Sequence, residues 1–220
     1  SIGSNEILSE TKTLSEQGYG MCIGRPICNT QVKLIKISDD PITQLQDKLK
    51  VAENQVGEII VKADLVTQHY FNNREADLQS KISDSDGQIW HRMGDLGWKD
   101  SKGRIWFCGR KTHRVTTLDE TLFTIPVEAI FNNHEKVFRS ALAGAGPKNM
   151  QTPVIFIEPY SKIKDKKVFI KELLALAKSN PLTASIEYVF FEKEFPVDIR
   201  HNSKIFREKL SVKAKKRLNL

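Results

Sequence analysis

Two stretches decide how this chain folds: Trp90-His91-Arg92-Met93-Gly94-Asp95-Leu96-Gly97 and Ile105-Trp106-Phe107-Cys108-Gly109-Arg110. Asp86-Gly87 precedes the first and Asp100-Ser101-Lys102-Gly103 the second. Glycine accepts the positive φ that tight hairpins demand, so both stretches read as strands leaving turns. Working towards the N-terminus, Gly57 to Lys62 and Val32 to Ile37 are further strands, rich in branched residues. Met21 to Ile23 is a shorter one, closed by the Gly24-Arg25-Pro26 turn. Helices are expected over 5–17, over 44–52, and over 73–82 with Asn72 or Asn73 as the cap.

Beyond Gly109 the pattern changes. A hairpin is expected around Asp119-Glu120, and then a helix opened by Pro126, since proline suits a first turn. Strands over 138–144 and 153–158 follow. An amphipathic helix over 167–179 turns Phe169, Leu173, Leu174 and Ala177 inward. A strand over 186–191 precedes a last helix over 202–218, in which Phe206, Leu210, Ala214 and Leu218 repeat every four residues. The expected class is α+β: the end of a β-rich, barrel-like subdomain over 1–110, then a small α+β domain over 111–220 with a mixed sheet flanked by helices. No internal repeat is evident.

Composition narrows the function. Of 220 residues, 40% are hydrophobic and 28% charged, as in a soluble globular chain. The longest apolar runs, such as 154–157, fall far short of the roughly 18 residues of a membrane span. Ser1-Ile2-Gly3-Ser4-Asn5-Glu6 shows no signal peptide. Cys22, Cys28 and Cys108 make no CxxC pair, which suits reduced thiols in the cytoplasm. His69, His91, His113, His134 and His201 are scattered, so no metal site is expected. The net charge of +7 is uneven: 1–110 carries −1 and 111–220 carries +8. That split fits two units with different surroundings, the second facing nucleic acid, a membrane surface, an acidic partner, a phosphate-bearing ligand or solvent.

Several segments together resemble the adenylate-forming superfamily of acyl-CoA synthetases, luciferases and peptide-synthetase adenylation domains. Gly57-Glu58-Ile59-Ile60-Val61 with Tyr70-Phe71-Asn72 is similar to one of its motifs. Trp90 to Gly97 resembles W-x-R-T-G-D-L-G, and 105–110 resembles the strand that ends in Gly-Arg at the domain hinge. Pro126-Val127-Glu128 is similar to P-x-E at the next helix. Pro196 with Asn202-Ser203-Lys204-Ile205-Phe206-Arg207 resembles the C-terminal P…G-K-x-x-R motif. Within the superfamily, Gly24-Arg25-Pro26, 105–111, Thr124-Ile125-Pro126 and 200–207 most resemble the β-lactone synthetases of olefin biosynthesis. The phosphate loop and the Y-G-x-T-E motif have no counterpart, so the resemblance implies the last two-fifths of a longer enzyme.

The resemblance implies roles residue by residue. Asp95 would accept hydrogen bonds from both ribose hydroxyls of ATP, and Arg110 would add a donor there. Lys111 and Thr112 would form the hinge. Lys204 would offset the negative charge that builds up when a carboxylate attacks the α-phosphate. Near a helix start, free N–H groups would assist it. Glu128 and Pro126 are expected to be structural, and the 213–217 tail a solvated basic face. ATP with Mg is the implied cosubstrate, held mainly by groups in the missing N-terminal adenylation domain, and CoA use stays open. Leu122 and Phe123, with Asp119 and Glu120, are expected to narrow the route a pantetheine arm would take.

The implied reaction is ATP-dependent activation of a long-chain, β-hydroxy fatty acid as acyl-AMP, with release of pyrophosphate, then closure of a β-lactone; 1–220 alone would be inactive. The alternatives are a fatty acyl-CoA ligase and a non-catalytic binding module. Nucleic acid is not an expected partner, because strands 138–144 and 153–158 lack aromatics interleaved with Arg and Lys. The expected partners are the fatty acid, the N-terminal domain and other enzymes of the same pathway.

Overall fold

The computed structural model describes residues 1–198 and 200–220, with backbone alone for 201–203. The chain divides into two compact units: Ser1–Lys12 with Gly20–Thr112, and Thr13–Tyr19 with His113–Leu220. Its class is mixed α and β, and among the described residues its sheets are open, with no closed barrel.

The first unit is built on an antiparallel sheet of β1 (Met21–Gly24), β2 (Gln31–Ile35), β3 (Gly57–Lys62), β4 (Lys81–Ser83), β5 (Ile89–Lys99) and β6 (Ile105–Arg110). The order is β1-β6-β5-β3-β2, with β4 also paired to β5. Ile35, Ile60, Ile82 and Trp90 form its buried core. Helix α1 (Ser4–Glu6) runs into a π-helical turn over Ile7–Thr11. Arg104 binds Glu6, Glu10 and Asp100. Hydrogen bonds from Arg104 and Lys102 hold the Glu10 carboxyl down to about 2. Helix α3 (Arg74–Ser80) is capped by Asn73, whose side chain accepts from Ala76 N. The helix expected over 44–52 shrinks to a single 3-10 turn, Asp47–Leu49.

The hairpins leading into β5 and β6 are one device used twice. Asp84-Ser85-Asp86-Gly87-Gln88-Ile89-Trp90 matches Asp100-Ser101-Lys102-Gly103-Arg104-Ile105-Trp106, so a short repeat does exist. In each, one aspartate oxygen accepts two backbone N–H groups of the turn and the other accepts the tryptophan Nε1 six residues on, at 3.1 and 2.9 Å. Gly87 and Gly103 take φ of +72° and +76°, which a side chain would strain. Burial alone would raise the Asp84 carboxyl, but bonds from Gln88 N, Trp90 Nε1, Asp86 N and Lys62 bring it down to about 2.

The second unit includes α2 (Lys12–Glu16) from Thr13 onward, the hairpin β7 (Val115–Thr116) and β8 (Thr121–Leu122), and α4 (Thr124–Asn132). Next come β9 (Val137–Ala145), β10 (Thr152–Pro159), α5 (Lys166–Lys178) and β11 (Tyr188–Phe191). β10 pairs antiparallel with β9 and parallel with β11, a mixed sheet. One sheet face packs Leu142, Ile155 and Ile157 with Val127 and Phe131 of α4 and Phe169, Leu173 and Ala177 of α5. The other packs Ala141, Ala143 and Phe156 with Leu210 and Ala214 of α6 (Arg207–Leu218). Burial on both faces explains the continuous apolar runs of β9 and β10.

One element was not expected. The segment 202–205 is not helical; β12 (Val197–Asp198) and β13 (His201–Ile205) form an antiparallel hairpin. Val197 pairs with Ile205, Phe206 N donates to Pro196 O at 2.8 Å, and the helix begins only at Arg207. The i+4 spacing from Phe206 extends the helical signal too far upstream, because Ile205 is drawn into the core beside Phe195.

Candidate functional site

Within the first unit, the register places Asp95 directly opposite Arg110 across β5 and β6. Arg110 Nη1 donates to Asp95 Oδ1 at 2.8 Å. The carboxylate is mostly shielded, with 17% of its side chain exposed against 53% for Arg110. Asp95 Oδ2 takes no hydrogen bond from any described residue. Local irregularity creates this geometry. Against β3, Ile60 pairs with Arg92 and Glu58 with Leu96, so β5 carries extra residues here. Such a bulge re-aims side chains. Gly94 takes φ of +70°, a backbone conformation that favours glycine; a Cβ there would meet only the Arg110 guanidinium, at 3.5 Å or more.

The first unit also holds a buried ionic cluster of Glu58, Arg92 and Lys111, which no sequence pattern joins. Glu58 is fully buried. Arg92 grips it through Nε at 3.1 Å and Nη2 at 2.8 Å, and donates to Asp40 O and Ser38 O. Lys111 Nζ reaches both Glu58 oxygens, at 3.1 and 3.2 Å, and Ser38 O at 2.9 Å. Arg110 therefore faces Asp95 while the next side chain points inward. Lys111 is anchored in the first unit, and Thr112 is that unit's last residue. The available signal for Glu58 is its place beside Ile59-Ile60 in a strand without polar alternation.

Lys204 lies in β13 of the second unit, not inside a helix start, so helix N–H groups do not explain its placement. Its side chain is 64% exposed, with Nζ 3.9 Å from Asp198 Oδ2. The hairpin's base is bolted to the body of its unit. Arg207, the first residue of α6, donates through Nη2 to both oxygens of Glu128, at 2.7 Å each, and through Nε at 3.2 Å. Glu128 Oε1 also accepts from Leu142 N at 2.8 Å. Glu128 is thus a buried charge partner and not merely a helix-start residue. Burial pushes its carboxyl up, opposed by Arg207 and Leu142 N. Two cations of the expected solvated tail are also paired: Lys213 and Arg217 both bind Glu192. His201 lies among the residues whose side chains are not described.

The β7–β8 turn corrects another expectation. Thr117 Oγ1 accepts from Asp119 N and Glu120 N and closes the turn. Leu122 points into the core, 3% exposed, and Phe123 stands at the N-cap position of α4 without a side-chain bond to it. Only Leu118 at the tip, 75% exposed, and the two acids project outward.

No family model matches the chain. Solved structures share its fold. An anthranilate CoA ligase in complex with anthranoyl-AMP superposes with a TM-score of 0.73 at 20% identity, covering 90% of this chain and 36% of that one. The o-succinylbenzoate CoA synthetase of Bacillus subtilis with its acyl-adenylate gives 0.70 at 20% identity, covering 95% and 37%. The same enzyme in complex with ATP and a magnesium ion gives 0.66 at 22% identity, covering 86% and 35%. The fold is that of the C-terminal portion of adenylate-forming enzymes.

Sequence relatives sharpen the assignment: the chain is homologous to olefin β-lactone synthetases. It is 41% identical to the one from Xanthomonas campestris over 93% of its length and 39% identical to the one from Stenotrophomonas maltophilia, also over 93%. A 4-chlorobenzoate–CoA ligase of an Arthrobacter species is 32% identical over 54% of the chain and 21% of that protein. The chain spans 38% of the length of either synthetase. Among the described residues, no helix is long and apolar enough to cross a membrane.

Proposed function

We propose that this chain is the C-terminal part of an ATP-dependent adenylating enzyme that converts a long-chain β-hydroxy fatty acid into a β-lactone. The observation that carries the reading is the Asp95–Arg110 pair with its open Oδ2, on a strand of a chain homologous to olefin β-lactone synthetases. A shielded carboxylate with one oxygen already held by Arg110 keeps the other for a sugar hydroxyl, so the residues fit a ribose. Among the described residues, no cluster of three or more His, Cys, Asp or Glu side chains could hold a metal ion. In this reading Mg and the β- and γ-phosphates are held mainly by the N-terminal adenylation domain, as Mg needs only one or two protein carboxylates beside the phosphates.

In this reading the acid's carboxylate oxygen forms a bond to the α-phosphorus while the bond to pyrophosphate breaks. Lys204 supplies a mobile ammonium where negative charge accumulates, from an exposed strand whose base Arg207 fixes. The β-hydroxyl oxygen then bonds to the acyl carbon, AMP leaves, and the hydroxyl proton passes to solvent or to AMP. The nucleophile is part of the substrate itself, so this step requires no thiol. The Leu118 tip with Asp119 and Glu120 supports the choice of lactone over thioester, since the turn offers side chains and no glycine to a passing pantetheine arm. Lys111 and Thr112 form the hinge in this proposal, with the Lys111–Glu58 contact holding its first residue.

The similarity to the 4-chlorobenzoate–CoA ligase favours a second reading, a fatty acyl-CoA ligase. The deciding assay gives the full-length enzyme ATP and a long-chain β-hydroxy acid, with and without CoA. Lactone formed without CoA supports the proposal. A thioester that requires CoA, with no lactone in its absence, overturns it. The 220 residues alone are expected to give no ATP–pyrophosphate exchange.

A further inference from the structure

A different surface of the second unit carries an inference independent of the adenylating reading. Where β9 begins, its pairing slips: Glu158 faces Arg139, but Pro159 faces Val137. Phe138 is the extra residue of this bulge, and a bulge turns a side chain out of the ladder. Phe138 is 51% exposed, and its ring lies 5.3 Å from that of Tyr160, which is 68% exposed. Arg139 covers one side of the Phe138 ring.

The chain that follows Tyr160 is strongly basic. Lys162, Lys164, Lys166 and Lys167 are all exposed, and none has a partner among the described residues. The one acid among them, Asp165, caps α5 by accepting from Lys167 N and Val168 N. Val168, in the first turn of α5, is 50% exposed. The parts are contiguous. Tyr160 N donates to Lys136 O, and Lys136 Nζ sits over Phe169, the neighbour of Val168. Ile163 packs on the core and holds the loop between them.

Two exposed rings and a valine beside four unpaired lysines match what an anionic lipid surface recognises: apolar groups for the acyl boundary, ammonium groups for the headgroups. A nucleic acid fits less well. Base stacking needs open ring faces, whereas Arg139 covers one face of Phe138 and Tyr160 abuts it at 60°. Val168 offers a base nothing. We propose that the Phe138–Tyr160 pair and the 162–167 lysines form a docking surface for anionic membranes.

The test is co-sedimentation of the 220-residue protein with vesicles of phosphatidylglycerol mixed with phosphatidylcholine. Binding is expected there and not to phosphatidylcholine alone, falling as salt rises. Lys162→Glu with Lys166→Glu should weaken it at least 25-fold, at about fivefold for each lysine charge lost. Phe138→Ser with Tyr160→Ser should weaken it at unchanged salt dependence, with an unchanged circular dichroism spectrum. Lys215→Glu with Lys216→Glu on α6 makes the same charge change elsewhere and should leave most of the binding intact. Equal loss from the α6 pair would show that net charge alone drives association and overturn the proposal. So would equal binding to phosphatidylcholine, or binding to polyuridylate without binding to vesicles.

Discussion

Replacing Arg207 by alanine removes every guanidinium contact from the buried Glu128 carboxylate and leaves it only the Leu142 N–H. Removing one partner of a buried ion pair costs about 3–5 kcal/mol, because the other charge stays desolvated. The surviving hydrogen bond argues for the lower end, about 3 kcal/mol, or a fall of roughly 2 M in the urea midpoint of a unit this size. The sign with pH follows from Glu128. Its folded pKa already lies above 4.5 and rises further without Arg207. A raised carboxyl weakens the fold as pH climbs through the interval between the unfolded and folded values. The Arg207→Ala deficit should therefore be largest at pH 7 and shrink towards pH 5. The two units can be followed separately. Trp90, Trp98 and Trp106 all lie in the first unit, so fluorescence reports it alone, while far-ultraviolet circular dichroism is weighted towards α4, α5 and α6. Urea titrations should show the dichroism transition shifted and the fluorescence transition unmoved. Glu128→Gln with Arg207→Met should restore most of the loss. A pH-independent deficit, an equal shift of both probes, or no recovery in the double variant would refute the reasoning.

Asp84→Ala should remove the part of the first unit's acid sensitivity that lies between pH 4 and 2. The depressed carboxyl stabilises the fold above its unfolded value, and that stabilisation is lost as pH falls through about 2; tryptophan fluorescence during acid titration checks this. Cys108, whose thiol burial pushes up to about 12, should resist iodoacetamide at pH 8 while exposed Cys28 reacts, as read by mass spectrometry. In the full-length enzyme, Lys204→Ala should slow acyl-adenylate formation by roughly 10²–10³ with an unchanged melting temperature, since an exposed lysine contributes little to folding. Adenylation at the parental rate would reduce Lys204 to a surface charge.

Sequence alone determined those parts of this protein whose cause is local. Asp-x-x-Gly turns place β5 and β6, because the aspartate and glycine act within a few residues of themselves. The apolar spacing of 166–178 makes an amphipathic helix wherever a core is offered, and the motif around Gly94-Asp95 marks the pair with Arg110 one hairpin turn away. Tertiary structure decided what depends on distant partners. Ile205 is a strand residue because Val197 and the Phe195 core outcompete a helical spacing that begins at Phe206. Glu58, Arg92 and Lys111 are one buried cluster only once β3 and β5 lie side by side. Glu128 and Arg207, 79 residues apart, meet beside the edge strand β9, where Leu142 N also donates to Glu128. Phe138 faces outward because one residue of register is lost at Pro159. Such long-range pairings leave no periodic trace, since the free energy that selects them comes from desolvation and packing after the elements have met.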